Sequence, residues 1–162
     1  MDHIEAGTQF GRKIRRDSGC FDLLATNFDS APDTGFMIKA IAPVVRASRL
    51  IDVEGARRVA DTLGEIIHTA IPGMVKGGFH TPNHRWVLSA ALSMSLELYP
   101  DMAGMETVEQ YLAETIDIKA DGEYIERSAG GYNAICNRSL RLADEALSRP
   151  DLLDAVRKNL CL

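Results

Sequence analysis

The sequence predicts an all-α domain of antiparallel helical hairpins arranged in two layers. Three observations carry that expectation. Beyond Asp33, apolar residues recur at helical spacing through most of the chain. Prolines and capping residues interrupt the pattern at helix-sized intervals. The helical segments also alternate between ones that are apolar nearly all round and ones with a single apolar stripe. With 162 residues, 46% of them hydrophobic and 25% charged, the chain can bury one core and is not expected to be disordered.

Residues 1–32 read as an irregular N-terminal segment. It holds a short helix from Ile4 to Ile14 and a loop from Asn27 to Pro32, where Asn, Asp, Ser and Pro crowd together. The hairpin domain is expected over 33–162. Its first helix runs from about Thr34 to Ile51, capped by Asp33 or Thr34 and bent or split at Pro43. The second runs from about Val53 to Ala70, with Asp52 as cap and Pro72 as stop. The third opens on Thr81-Pro82, a capping residue followed by proline at the first helical position, and ends at Tyr99 before Pro100. A fourth helix is expected from Met105 to Ile116, and a turn or small hairpin at Lys119 to Tyr124. The fifth spans Gly131 to Leu147, and the sixth starts near Pro150.

The second and sixth helices each show one apolar stripe, as surface helices do. The third is apolar on most sides, with Arg85, Ser89, Ser93 and Glu97 in one narrow stripe, and so is expected to be buried on most sides. Odd helices are therefore inner and even helices outer. Hairpin starts recur at a spacing of about 48–49 residues, just above the HEAT range. Stacked hairpins of this kind build an open solenoid or a closed toroid. Three hairpins cannot close a ring, so the expected architecture is an incomplete (α/α) toroid arc.

Composition excludes several functional classes. A net charge of −5 gives no basic field for nucleic acid. No apolar run approaches the ~18 residues of a membrane span. The Met-Asp-His-Ile-Glu start has no secretory pattern, so a cytoplasmic protein is expected. Cys20, Cys136 and Cys161 are odd in number and form no CxxC pair, which points to free thiols.

If the odd helices run the same way, their N-termini share one end. That end collects Asp33 and Thr34, then Asn83, His84 and Arg85, then Glu126, Arg127, Ser128, Tyr132 and Asn133. Free N–H groups and positive dipole ends make such a mouth suit an anion. In the first turn His84 should be neutral and able to accept a proton, and Asn83 could donate to a developing oxyanion. The alternative is that both simply cap and pack. Tyr132, near Arg127 and a helix N-terminus, could serve as acid or base, or stand as a wedge between helices with its hydroxyl wet. Glu126–Arg127 could be a solvated pair. Asn133 and Asn137 could bind a sugar hydroxyl or bridge to a neighbouring helix. Trp86 could stack on a sugar but is better placed for core packing. His80 and His84 have a spacing that can suit a metal, yet no third ligand accompanies them, so no metal site and no cofactor is expected.

The stretches Phe79-His80-Thr81-Pro82-Asn83-His84-Arg85-Trp86 and Asp121 to Ser128, continuing to Tyr132-Asn133, resemble the N-terminal helical domain of heparinase II/III-like proteins, relatives of alginate and heparin lyases. Asp29 to Thr34 is also similar, and the resemblance covers most of the chain from about Asp29. It implies a helical toroid followed by a β-sandwich, and β-elimination on uronic-acid glycans. It assigns Asn83 and His84 to the pair that neutralises the carboxylate or helps take the C5 proton, and Tyr132 to protonation of the leaving oxygen. His80, Arg85, Glu126, Arg127 and Asn133 are the candidate substrate-binding residues. The chain has no counterpart of the remaining toroid and sandwich, which implies a fragment or truncated member with an incomplete site. An anionic oligosaccharide or polysaccharide is then the expected partner. A second copy or a complementary chain could cover the exposed inner helices. The alternative is a non-catalytic scaffold that binds an anionic glycan or a protein.

Overall fold

A computed structural model describes residues 2–128 and 130–161. In chain order the elements are α1 (Asp2–Ile14), β1 (Phe21–Leu23), β2 (Asn27–Ser30), α2 (Ala31–Arg49), α3 (Glu54–Gly77), α4 (Pro82–Leu98), α5 (Met102–Ala113), α6 (Tyr132–Leu147) and α7 (Leu152–Leu160). The fold is all-α apart from one small two-stranded sheet.

The sheet replaces the loop expected at Asn27 to Pro32. β1 and β2 pair antiparallel with Phe21 opposite Ser30 and Leu23 opposite Asn27. Ala25 turns the chain between them at a φ of 74°. Ser30 then caps α2, its Oγ accepting from the Asp33 N–H, so the cap lies earlier than Asp33 or Thr34. Thr34 instead ties the hairpin to the helix: its hydroxyl donates to the Ser30 carbonyl at 2.7 Å and accepts from the Phe21 N–H at 2.8 Å. The N-terminal helix is sewn on as well, with Arg12 pairing with Glu65 and Arg15 donating to Thr69 of α3.

Neither internal proline ends its helix. α2 continues through Pro43 without splitting. α3 continues through Pro72 to Gly77, where Gly78 turns at a φ of 64°. An internal proline costs a helix about 3 kcal/mol through its missing N–H and its ring. Burial of Ile71, Gly73 and Met74 on either side of Pro72 outweighs that loss. Gly73 lies against Ser18 and Cys20 so closely that any Cβ would come within 2.6 Å of both. α5 begins earlier than expected because Asp101 caps it, accepting from Gly104 N–H at 2.8 Å. It stops before Thr115, whose φ of 64° breaks the helix. The turn around Lys119 to Tyr124 is present, closed by Lys119 N–H donating to the Glu123 carbonyl at 2.9 Å.

α4 is the axis of the molecule. Every residue from Arg85 to Leu96 is buried. α2 and α6 flank it, α5 packs behind it, and α3 and α7 complete the outer side against α2 and α6. The expected hairpins are thus α2–α3, α4–α5 and α6–α7. The serines on α4 would be costly in such a core if left unpaired. Each bonds back into its own helix: Ser89 to the Arg85 carbonyl, Ser93 to that of Ser89, and Ser95 to that of Ala91, at 2.6–2.9 Å. Gly35 lets α2 approach closely, since a Cβ there would stand 3.1 Å from Val87.

α2, α4 and α6 are parallel. Near their starts, Phe36 of α2 meets His84 of α4. Further along, Lys39 of α2 meets Ser139 of α6. At their ends, Arg46 of α2 reaches Glu97 of α4 and Glu145 of α6. Exposed large apolar side chains concentrate elsewhere, at Phe10 and Ile14 of α1, Leu23, Leu24 and Phe28 of the hairpin, and Leu50, Ile51 and Val53 between α2 and α3. Among the described residues no helix is long and apolar enough to cross a membrane.

Two substitutions test this packing. Leu92→Ala, at the centre of α4, should lower unfolding free energy by about 2–5 kcal/mol in urea titration. Exposed Arg57→Ala should change it by less than about 0.5 kcal/mol. Pro72→Ala should raise stability by about 1–3 kcal/mol, because the exposed ring is replaced by a residue that restores an internal hydrogen bond; an unchanged or lower midpoint would contradict a continuous α3.

Candidate functional site

The parallel run of α2, α4 and α6 brings their N-termini to one end, where the sequence places its candidate residues. The end of α4 is built around Glu126, which lies in the segment leading into α6. Its carboxylate accepts from the Asn83 N–H at 3.0 Å and from Asn83 Nδ2 at 2.8 Å. A carboxylate at that position satisfies an orphan N–H and meets the positive end of the helix dipole. Thr81 occupies the capping position without a side-chain cap bond to the helix, and Glu126 supplies the anion instead. The contact also fixes the approach to α6 beside the start of α4.

This arrangement uses Asn83 fully as a donor. The residue is 3% exposed, and its amide nitrogen donates both to Glu126 and to Thr81 Oγ1, at 3.0 Å. An amide group has only two such protons. The geometry therefore makes Asn83 a clamp for Glu126, with no proton left for an oxyanion in this conformation. Glu126 is correspondingly not in a solvated pair with Arg127. Arg127 is exposed and stands at a φ of 50°.

Arg85 turns toward the α5 side. Its guanidinium is 4% exposed and binds Glu114 and Asp117 at 2.5 Å each, and the Thr115 carbonyl at 2.8 Å. It also lies 4.3 Å from the Trp86 ring centroid. Three acceptors hold it in place, so it joins α4 to the end of α5 rather than projecting into the mouth. Trp86 is fully buried in the core.

His84 is half-buried. Its Nδ1 is buried and has no hydrogen-bond partner. The ring meets Phe36 edge-on at 6.3 Å between centroids and His80 at the same separation. Burial pushes its pKa below the usual 6.5, Asp33 and Glu126 act in the opposite direction, and His80 adds to the lowering. The imidazole is therefore neutral at pH 7, as the sequence suggests, and burial is the leading cause. His80 itself is exposed. Among the described residues no group of three or more His, Cys, Asp or Glu could hold a metal.

Tyr132 is the first residue of α6 and is 46% exposed. Its N–H faces Ser128 Oγ at 3.4 Å, and the Asn133 N–H donates to the Ser128 carbonyl at 3.1 Å. Asn133 is buried with an unpartnered Oδ1. Asn137, one turn on, bridges elements: its Oδ1 accepts from Tyr124 Oη and its Nδ2 donates to Asn159 of α7, both at 2.8 Å. Asn159 in turn donates to the Gly122 carbonyl at 2.9 Å.

Sequence reasoning missed Lys39. It sits one turn past Phe36 on α2, and its Nζ donates to buried Ser139 Oγ of α6 at 2.7 Å. Burial and nearby Arg138 lower its pKa to about 8, with Cys136 opposing. Burial pushes the Cys136 thiol up to about 12. A half-open cavity of about 230 Å³ adjoins Lys39 between α2 and α6. Its signal in the sequence is a lone lysine inside the apolar run Phe36 to Ala42. A larger cavity of about 400 Å³ lies at the opposite end of α4, among Arg15, His68, Tyr99 and Asp101.

No family model, curated protein or solved structure matches the chain.

Proposed function

We propose that this chain is a polysaccharide-lyase-like domain for β-elimination on uronic-acid glycans, an incomplete α/α toroid of the heparinase II/III kind whose site needs further residues. The observation that carries the reading is a half-buried His84 with a lowered pKa and a half-exposed Tyr132, each in the first turn of one of the parallel helices α4 and α6. β-Elimination breaks the bond between C4 and its oxygen after C5 loses a proton. A neutral imidazole can take that proton and a phenol can return one to the leaving oxygen. Neutralising the neighbouring carboxylate makes the C5 proton removable. Exposed Arg127 is the residue at this mouth with charge to offer a carboxylate, while Asn83 and Glu126 hold the scaffold beneath it. Further helices, or a second copy of the chain, would complete the arc.

A specific observation favours the second reading, a non-catalytic scaffold that binds an anionic glycan or a protein. Asn83, which the lyase resemblance places on substrate, and Arg85, a candidate substrate-binding residue, are held by Glu126 and by Glu114 and Asp117. A lyase lacking both would bind without turning over.

The two readings separate in one assay. With uronate polymers, the lyase reading expects an unsaturated product absorbing in the ultraviolet, lost in His84→Ala and Tyr132→Phe. Activity should persist as pH falls to 6.5 and be lost only as it passes below, through the lowered pKa of His84, because the base must be unprotonated. Glycan binding that survives both substitutions, with no product from any uronate polymer, would leave the scaffold.

A further inference from the structure

Among the described residues the buried ammonium of Lys39 has no counter-anion. It is 5% exposed. Its contacts are the Ser139 hydroxyl and the face of Phe36, with Nζ 4.9 Å from the ring centroid. The titratable groups that act on it are Arg138 and the Cys136 thiol, neither of them a carboxylate. Among the described residues Arg138 also forms no ion pair. A buried cation is ordinarily paired, because removing it from water without a partner is expensive. Here two cations of adjacent helices line one cavity, and no acid lines it with them.

The rest of the cavity wall is apolar: Phe36 and Ala40 from α2, Ala134 and Ile135 from α6. An inorganic anion would satisfy the charges and leave that wall uncovered. A neutral apolar molecule would cover the wall and leave the charges unpaired. We propose that the α2–α6 cavity binds a small organic carboxylate, its anion between Lys39 and Arg138 and its apolar body against Phe36 and Ile135. The proposal stands independently of the lyase reading, since it invokes neither the His84 imidazole nor the Tyr132 phenol. Recognition follows the usual form of a small-ligand site, a mostly apolar concavity with few convergent polar groups. A bound carboxylate would also offset the cost of burying Lys39, the cause that lowers its pKa to about 8.

Benzoate titrated into the intact chain, followed by calorimetry, tests this, with benzamide and inorganic phosphate as matched probes. Benzoate should bind, and both comparators should bind at least about tenfold more weakly, since one lacks the charge and the other the apolar body. Lys39→Met should weaken benzoate about tenfold and exposed Arg138→Gln about threefold. Should Lys39→Met fail to fold by circular dichroism, protection of the native Lys39 amine from an acylating reagent by benzoate, and not by benzamide, serves in its place. Equal binding of benzamide or of phosphate, undiminished binding in folded Lys39→Met, or an amine acylated equally with and without benzoate would overturn the proposal.

Discussion

The structure depends on the burial of α4 from Arg85 to Leu96. Buried polar side chains on such a helix need hydrogen-bond partners. In its central turns α4 returns the hydroxyls of Ser89, Ser93 and Ser95 to carbonyls one turn back, which leaves small, nearly apolar surfaces for its neighbours, and in its first turn Asn83 and Arg85 are held by Glu126, Glu114 and Asp117. Those small surfaces let α2 and α6 come close enough for Lys39 of one to bond Ser139 of the other. Once α4 is central, α2 and α6 must lie along it, and with outer helices returning the chain each time they must run in its direction.

That direction decides where chemistry can occur. Three helix starts lie at one end, and the Glu126 carboxylate organises the start of α4. By binding the first turn of α4 through Asn83, Glu126 complements the helix dipole and pins the strand of chain that enters α6. The same contact removes Asn83 from any direct role as donor in this conformation. His84, one residue on, faces the opposite consequence: its ring is half-buried against Phe36 and His80, its Nδ1 has no partner, and it stays neutral. A neutral imidazole beside a committed clamp is the arrangement on which the lyase proposal rests. The commitment of Arg85 to Glu114 and Asp117 is the arrangement on which the scaffold alternative rests.

The helices were legible where local chemistry sets them. Thr81-Pro82 marks the start of α4, and the absence of a polar face on that helix announces its burial. The turn at Lys119 to Tyr124 also follows from local residues. Elements set by distant partners were not legible. Pro72 reads as a stop because the contacts that carry α3 past it come from Ser18 and Cys20, far off in the chain. The β-hairpin depends on Thr34 accepting from Phe21. The site divides in the same way. That His84 and Tyr132 start parallel helices follows from helix direction, which the alternation of inner and outer helices implies. The partners of Asn83 and Lys39 lie 43 and 100 residues away, and no spacing rule reaches that far.

Native-state hydrogen exchange measures the central claim directly. If α4 is the axis, its amides from Leu88 to Leu96 should exchange only through global unfolding, with the largest protection in the chain. Amides of α1, which packs on the outside, should exchange through smaller openings. Protection in α4 no greater than in α1 would contradict the account, because a helix that opens locally could not hold the ends of α2 and α6 together.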